Sequence, residues 1–339
     1  MAWTNTWSGT ACTQVGKGKT RPDKRKFRPG RAVAGAPAAC FLYAMPLFAA
    51  DTLLLFVAAS LTQPLKPVLD AFSARTGIVV ERESGATLEH VRKITELHRT
   101  PDVFLSADVD VLPRLLVPKY ASWYAEFARN RMVVAYTPKS KHAAEITAGN
   151  WTSILRAPDV EVGRTNPDIA PVGYRTLLML QLAERYYRSP GLARALVDNA
   201  PPRNMRPNAA ELAALLAAGE LDYIYDYESV AESNGFRFIA LPDAIDLSNP
   251  ARAAEYATAT VDVGGNAPGT RLRVEGEPIL YGLTVPIGAP HPSAARRFLD
   301  YLTSAPVIAE LRAAHVDMLD HPIVVGRGAP AELHGVPGR

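Results

Sequence analysis

The sequence predicts an α/β protein of two domains, each a mainly parallel sheet flanked by helices. Three observations carry this. Apolar runs of strand length alternate with stretches of helical spacing from residue 52 onward. A second such set begins near residue 133. The 339 residues are too many for one simple core and enough for two.

Residues 52–57 (TLLLFV) form the first strand-like run. Residues 63–75 then show helical spacing through Leu65, Val68, Leu69 and Phe72, and Gly77 stops that helix. Ile78-Val79-Val80 starts a strand. Thr87 caps a helix running to about Leu97, with Val91, Ile94 and Leu97 on one face. Val103-Phe104-Leu105 is a third strand, and Val109 to Leu116 a short helix. This β-α-β-α-β-α order implies a parallel sheet with helices on both faces. Met132 to Tyr136 is the next strand. The second set holds Val160 to Gly163, a helix from about Tyr174 to Tyr187, another from about Ala209 to Ala218, and the strand Tyr223-Ile224-Tyr225. After Glu228 come a helix, the strand Phe236 to Leu241, and an irregular polar stretch to about Gly269. The strand Ile279 to Val285 and a long helix from Ser293 past Leu302 complete the set. The tail after His321 is rich in Gly and Pro and is expected to pack loosely.

The formal charge of +3 hides an asymmetry. Residues 1–50 hold eight Lys/Arg against the single acid Asp23, which leaves 29 basic and 33 acidic residues in 51–339, a net of −4. A mildly acidic body argues against nucleic-acid binding through a basic surface. The basic stretch ending at Arg31, the apolar run Ala32 to Ala50 and the small pair Ala49-Ala50 read as an export leader cleaved near Ala50. Both cysteines, Cys12 and Cys40, fall in it, so the mature chain is expected to have no thiol; Ala38-Ala39-Cys40 leaves lipidation of Cys40 as the alternative. No P-loop, no G-x-G-x-x-G after a strand, no G-x-S-x-G and no H-E-x-x-H or Cys/His cluster is present. The sequence therefore offers no nucleophile–base pair, no cofactor motif and no site for a free metal cation.

Eight stretches, FVAASLTQPLKPVLDAF (56–72), HVRKITEL (90–97), PDVFLSAD (101–108), RMVVAYTPKSK (131–141), NWTSIL (150–155), GRTNPDIAPVGYRTL (163–177), MRPNAAELAALLAAGELDYIYDYESVA (205–231) and EPILYGLTVP (277–286), are spread along most of residues 52–305. Together, and in this order, they resemble the periplasmic molybdate/tungstate-binding proteins of ABC transporters, especially their archaeal-type branch. The resemblance implies a two-lobed periplasmic-binding-protein fold. Lobe one would be residues 51–132 plus 231–325, lobe two 133–230, with a loose tail at 326–339. The chain would cross the hinge near Val134 and near Glu228, and the lobes would close on a ligand by hinge motion. It also implies a periplasmic monomer with no cofactor besides a bound molybdate or tungstate, which it would hand to an ABC permease.

A dianion in a closed cleft must have its charge answered, and unpaired amides at helix N-termini are one answer. Four places fit. Ala59-Ser60 follows the first strand, and a hydroxyl and an amide can both donate there; alone, the pattern equally fits an ordinary cap. Thr87 aligns with a family serine, with Ser84 as the fallback if the register slips. Ala170-Pro171-Val172 precedes the Gly173-Tyr174-Arg175 helix start; Pro171 has no N–H, so Ala170 and Val172 are the donors, and Gly173 permits close backbone approach. Tyr227 carries a phenol near the second crossing; by pattern such a tyrosine is more often core, and the alignment assigns it to the ligand. Arg175 either neutralises charge from behind the ligand or pairs with an acid in lobe two. The sequence departs from the archaeal-type pattern at two places, Ala170 and Ala209, where the family carries an Asp and a Glu that bond to the metal atom. Asp168, Glu211 and Asp226 lie nearby but off the aligned positions. Plain tetrahedral recognition by hydrogen bonds is therefore expected. The competing readings are the same fold with another anion (sulfate, thiosulfate, phosphate or a small carboxylate), a periplasmic enzyme on this fold, and a ligand-sensing module.

Overall fold

The computed structural model describes residues 51–264 and 269–334; the leader reading for residues 1–50, with Cys12 and Cys40, lies outside them. In chain order the strands are β1 (Thr52–Ala58), β2 (Val79–Gly85), β3 (Val103–Ser106), β4 (Trp123–Arg129), β5 (Met132–Tyr136), β6 (Val162–Thr165), β7 (Met205–Arg206), β8 (Tyr223–Tyr227), β9 (Arg237–Ala240), β10 (Thr260–Gly264), β11 (Arg271–Glu275), β12 (Leu280–Thr284) and β13 (Asp317–Gly326). The helices are α1 (Thr62–Thr76), α2 (Thr87–Thr95), α3 (Val111–Leu115), α4 (Trp151–Ile154), α5 (Pro171–Tyr186), α6 (Leu192–Asp198), α7 (Ala209–Ala218), α8 (Glu228–Ser233), α9 (Ala253–Tyr256), α10 (Pro292–Leu302) and α11 (Ala305–Ala313).

Two sheets organise the chain: six strands in the order β13-β4-β12-β3-β1-β2, and five in the order β7-β6-β8-β5-β9. Both are mixed rather than mainly parallel. β1 runs parallel to β2 and β3, but β12 arrives from the far end of the chain and inserts antiparallel between β3 and β4. In the second sheet β6 runs parallel to β7 and β8, whereas β5 is antiparallel to β8 and β9. The alternation legible in the sequence thus holds through β3 and misses the returning strands. The polar stretch read as irregular to about Gly269 contains β10, which pairs antiparallel with β11 just beyond it.

The chain first passes between sheets at Asn130-Arg131, just before Met132 pairs with Tyr227. It passes back only after β9, because Val133 to Tyr136 pair with Ala240 to Arg237; residues 237–240 therefore sit with the second sheet, not the first. The tail also differs from expectation: β13 runs to Gly326, and Leu333 is fully buried in the core. No described helix is long and apolar enough to cross a membrane.

Local chemistry explains the elements that aim the site. α1 buries Leu65, Val68, Leu69 and Phe72 and ends at Gly77, whose φ of 71° is the left-handed conformation that glycine adopts freely. α5 begins with Pro171 in its first turn, where the missing N–H costs nothing. α7 is capped by Asn208, whose side chain accepts from the Glu211 amide at 3.0 Å while Glu211 takes a bond from Asn208 Nδ2 at 2.7 Å.

Candidate functional site

The chain bends at the ends of β1, β2, β3 and β8 toward one cavity between the two sheets. Ala58, Ala59, Ser60, Gly85, Ala86, Thr87 and Ala107 line it from the first sheet's side, and Ala170, Pro171, Val172, Asn208, Ala209 and Tyr227 from the second's. It encloses about 230 Å³ of empty space, counting its open side. All seven residues named from the sequence, Ala59, Ser60, Thr87, Ala170, Pro171, Val172 and Tyr227, stand on this wall, as does Ala209. Helix starts surround the cavity: the 3-10 turn Ala59–Leu61 that leads into α1, and the first residues of α2, α5 and α7. Among the described residues, no Lys, Arg, Asp or Glu lines it.

Each wall hydroxyl already accepts a hydrogen bond from the protein. Tyr281 donates to Ser60 Oγ at 2.9 Å, and itself accepts from Asn130 Nδ2 at 2.9 Å. The Ala107 amide donates to Thr87 Oγ1 at 3.2 Å, and Arg175 donates to the Tyr227 hydroxyl at 2.8 Å. A hydroxyl has one proton and two lone pairs. With one lone pair engaged and no protein acceptor for the protons among the described residues, Ser60, Thr87 and Tyr227 face the cavity as donors. Burial pushes the Tyr227 phenol well up, and Tyr281 up to about 12, so both keep their protons at neutral pH. The Val172 amide, second in α5, likewise has no protein acceptor among the described residues.

Several expectations need correction. The Ala170 N–H is committed to the Asn166 carbonyl at 3.1 Å, because the chain turns tightly before α5; Val172 is the donor at this corner. Gly173 does not line the cavity. A Cβ there would come within 2.6 Å of the Asn166 carbonyl carbon, so glycine is required by that turn and not by a ligand. Ser84 is exposed, and its neighbour Gly85 lines the wall instead. None of the nearby carboxylates, Asp168, Glu211 and Asp226, lines the cavity. Asp168 accepts from the Gly264 amide at 2.7 Å and from Arg271, while Glu211 serves the α7 cap. Asp226 is fully buried off the cavity, with Oδ1 accepting from the Tyr227 amide at 2.7 Å and Oδ2 without a partner.

Burial pushes the Asp226 carboxyl up to about 8. The folded protein therefore holds a proton there that the unfolded chain releases above about pH 4, so stability should fall as pH rises from about 4 to about 8. Asp226→Asn keeps the acceptor and removes the ionisation. Its melting temperature should exceed the parent's clearly at pH 8 and only slightly at pH 5; equal differences at both pH values would count against the buried proton.

Arg175 pairs with an acid, but not in its own sheet's half of the molecule. Its Nη2 lies 3.2 Å from Asp108 Oδ1, and Asp108 also accepts from the Tyr174 hydroxyl. Asp108 follows β3 of the first sheet. The residues that sequence reasoning passed over are Asp108, Ala107, Asn130, Asn208 and Tyr281. The signal for the first two was available: SAD closes a buried strand, where α/β proteins gather ligand groups. Among the described residues, Asp108, Asp110 and Glu277 bring three carboxylate oxygens within 4.8 Å of one another, beside the cavity rather than in it. Burial, then the hydrogen bond with Asp110 and the Asp108 and Asp110 charges, push Glu277 up to about 9.

Residues 53–315 match the family model described as bacterial extracellular solute-binding protein. The chain belongs to that family. A solute-binding protein of Petrotoga mobilis is 41% identical over 266 residues, 77% of this chain and 83% of the relative. The molybdate/tungstate-binding protein WtpA of Thermococcus kodakarensis is 32% identical over 312 residues, 84% of this chain and 87% of that protein. Among solved structures, the periplasmic molybdate-binding protein of Azotobacter vinelandii superposes with a TM-score of 0.51 at 18% identity, over 78% of this chain and 98% of that one. The fold is that of the two-lobed periplasmic binding proteins, with the cavity in the cleft between lobes.

Proposed function

We propose that this protein is an exported, monomeric, non-enzymatic carrier that captures molybdate or tungstate between its lobes and delivers it to an ABC permease. The observation that carries the reading is the wall itself: three directed hydroxyl donors and four helix starts converge on a cavity with no charged side chain. Helix dipoles and unpaired amides favour an anion there. A fully ionised oxyanion only accepts hydrogen bonds and suits such a wall. Protonated phosphate needs an acceptor, and no carboxylate of the described residues lines the cavity to supply one. The family membership and the 32% identity to a molybdate/tungstate-binding protein support the same class of ligand. Sulfate is the second reading, since it offers the same four acceptors on a smaller frame.

Calorimetry of ligand-stripped protein with molybdate, tungstate and sulfate tests this. Tight binding of the two metal oxyanions and much weaker binding of sulfate is expected, because a smaller ion cannot reach all the donors at good geometry. X-ray absorption on the tungstate complex should then show four-coordinate metal, as Ala170 and Ala209 offer no oxygen to the metal atom from their side chains. No heat with either metal oxyanion would refute the assignment; a six-coordinate spectrum would refute the hydrogen-bond-only site.

A further inference from the structure

The loop after β3 is a junction. The Ala107 amide donates to Thr87, while the Ala107 carbonyl accepts from Arg175 Nη1 at 2.6 Å. The same Nη1 reaches the Tyr227 hydroxyl, and Nη2 reaches Asp108. Arg175 is only 2% exposed and Asp108 only 3%. Burial alone would lower the arginine's pKa, but Tyr227 and Asp108 hold it well above its ordinary value. Arg175 and Tyr227 belong to the second lobe, Ala107 and Asp108 to the first. One planar guanidinium thus touches a ligand-facing hydroxyl and both acceptors across the cleft.

We propose that Arg175 is the positioning residue of this site: fixed by Asp108 and the Ala107 carbonyl across the cleft, it donates to Tyr227 and so directs that hydroxyl's one proton at the bound oxyanion when the lobes are together. A guanidinium has no acceptor, so the bond to Tyr227 can form only in this sense. Hinge opening would keep Arg175 with Tyr227 but separate it from Asp108 and Ala107, leaving the guanidinium free to reorient. The donor geometry is therefore tied to closure. Arg175 does not line the cavity and acts through Tyr227. Lysine cannot replace it, because a point charge on a flexible stem lacks the flat fork that serves three acceptors at once.

The inference rests on the oxyanion reading above, and a double-mutant cycle separates the two. Tungstate affinity is measured for the parent, Arg175→Lys, Tyr227→Phe and the double variant, with dissociation rates. Arg175→Lys should weaken binding roughly tenfold in the parent, chiefly through faster release, and less than about threefold in the Tyr227→Phe background. Equal losses in both backgrounds would show a merely structural arginine and overturn the proposal. An unaffected Tyr227→Phe variant would overturn it too, while leaving the carrier function to Ser60 and Thr87. If Arg175→Lys does not fold, Asp108→Asn enters the same cycle under the same criterion. A parent protein that binds no tetrahedral oxyanion would remove the function reading, and this inference with it.

Discussion

Asp108→Ala should lower folding stability by about 3–5 kcal/mol, the largest effect expected of any single change near the site. The wild-type carboxylate accepts from Tyr174 and lies 3.2 Å from Arg175, and all three side chains are buried. Truncation deletes the carboxylate paired with the buried guanidinium, which keeps the Ala107 carbonyl and Tyr227 as dipolar partners. A buried pair adds little over an apolar replacement of the same size, yet breaking it is costly. Asp108→Asn, which keeps the shape and one acceptor, should lose less. Asp108→Leu combined with Arg175→Met should recover part of the alanine loss. Chemical denaturation with a linear extrapolation reads all three. A loss under about 1 kcal/mol for Asp108→Ala would mean that water reaches the pair and that the burial described above is wrong.

The second large effect is on affinity. Ser60→Ala and Thr87→Ala each delete one hydrogen bond to a charged ligand, worth roughly 1.5–3 kcal/mol, or about tenfold to a hundredfold. The two hydroxyls hang from different helix starts and have separate partners, Tyr281 and the Ala107 amide. Because both also donate to the one bound anion, their losses can couple through it; the double variant should lose more than either single variant, up to about ten-thousandfold where the losses add in full. Both alanines remove little volume, so the fold should stand, as a native-like circular dichroism spectrum would show. Unchanged tungstate affinity in the double variant would place the ligand somewhere other than this cavity.

Much of this site was legible in the sequence because its parts sit where local rules are strongest. Strands β1 and β8 announce themselves by apolar and aromatic runs; β1 is followed at once by Ala59 and Ser60 of the wall, and β8 ends on Tyr227. Pro171 marks a helix start through its fixed φ and missing donor. The alanines at 170 and 209 could be noticed as lost carboxylates only through a resemblance, since nothing in an alanine's own chemistry signals an absence. What stayed hidden depends on contacts far apart in the chain. The donor to Ser60 is Tyr281, 221 residues away, and the partner of Arg175 is Asp108 in the other lobe. β12 gives no local sign that it will insert between β3 and β4, so the sheet could not be recognised as mixed. β4 was missed although Trp123, Ala125 and Phe127 alternate inward, because its Glu126 and Arg129 make the segment look polar. The reach of Asp168 to the hairpin at Gly264 likewise has no signature at either residue.

The backing of each wall hydroxyl has a thermodynamic consequence. A serine, threonine or tyrosine proton in solution samples several rotor positions, and a ligand that claims it must bear the entropy of stopping it. Here Tyr281 and the Ala107 amide, each on the same lobe as the hydroxyl it serves, have already restricted the Ser60 and Thr87 rotors during folding, while the Tyr227 rotor is restricted as the lobes close. Little side-chain freedom is left to lose when an anion enters, beyond the movement of the lobes themselves. Preorganised donors of this kind convert contact enthalpy into affinity with small loss. They also resist adapting to an ion of another size, so the same stiffness that strengthens binding narrows the range of ions that can exploit it.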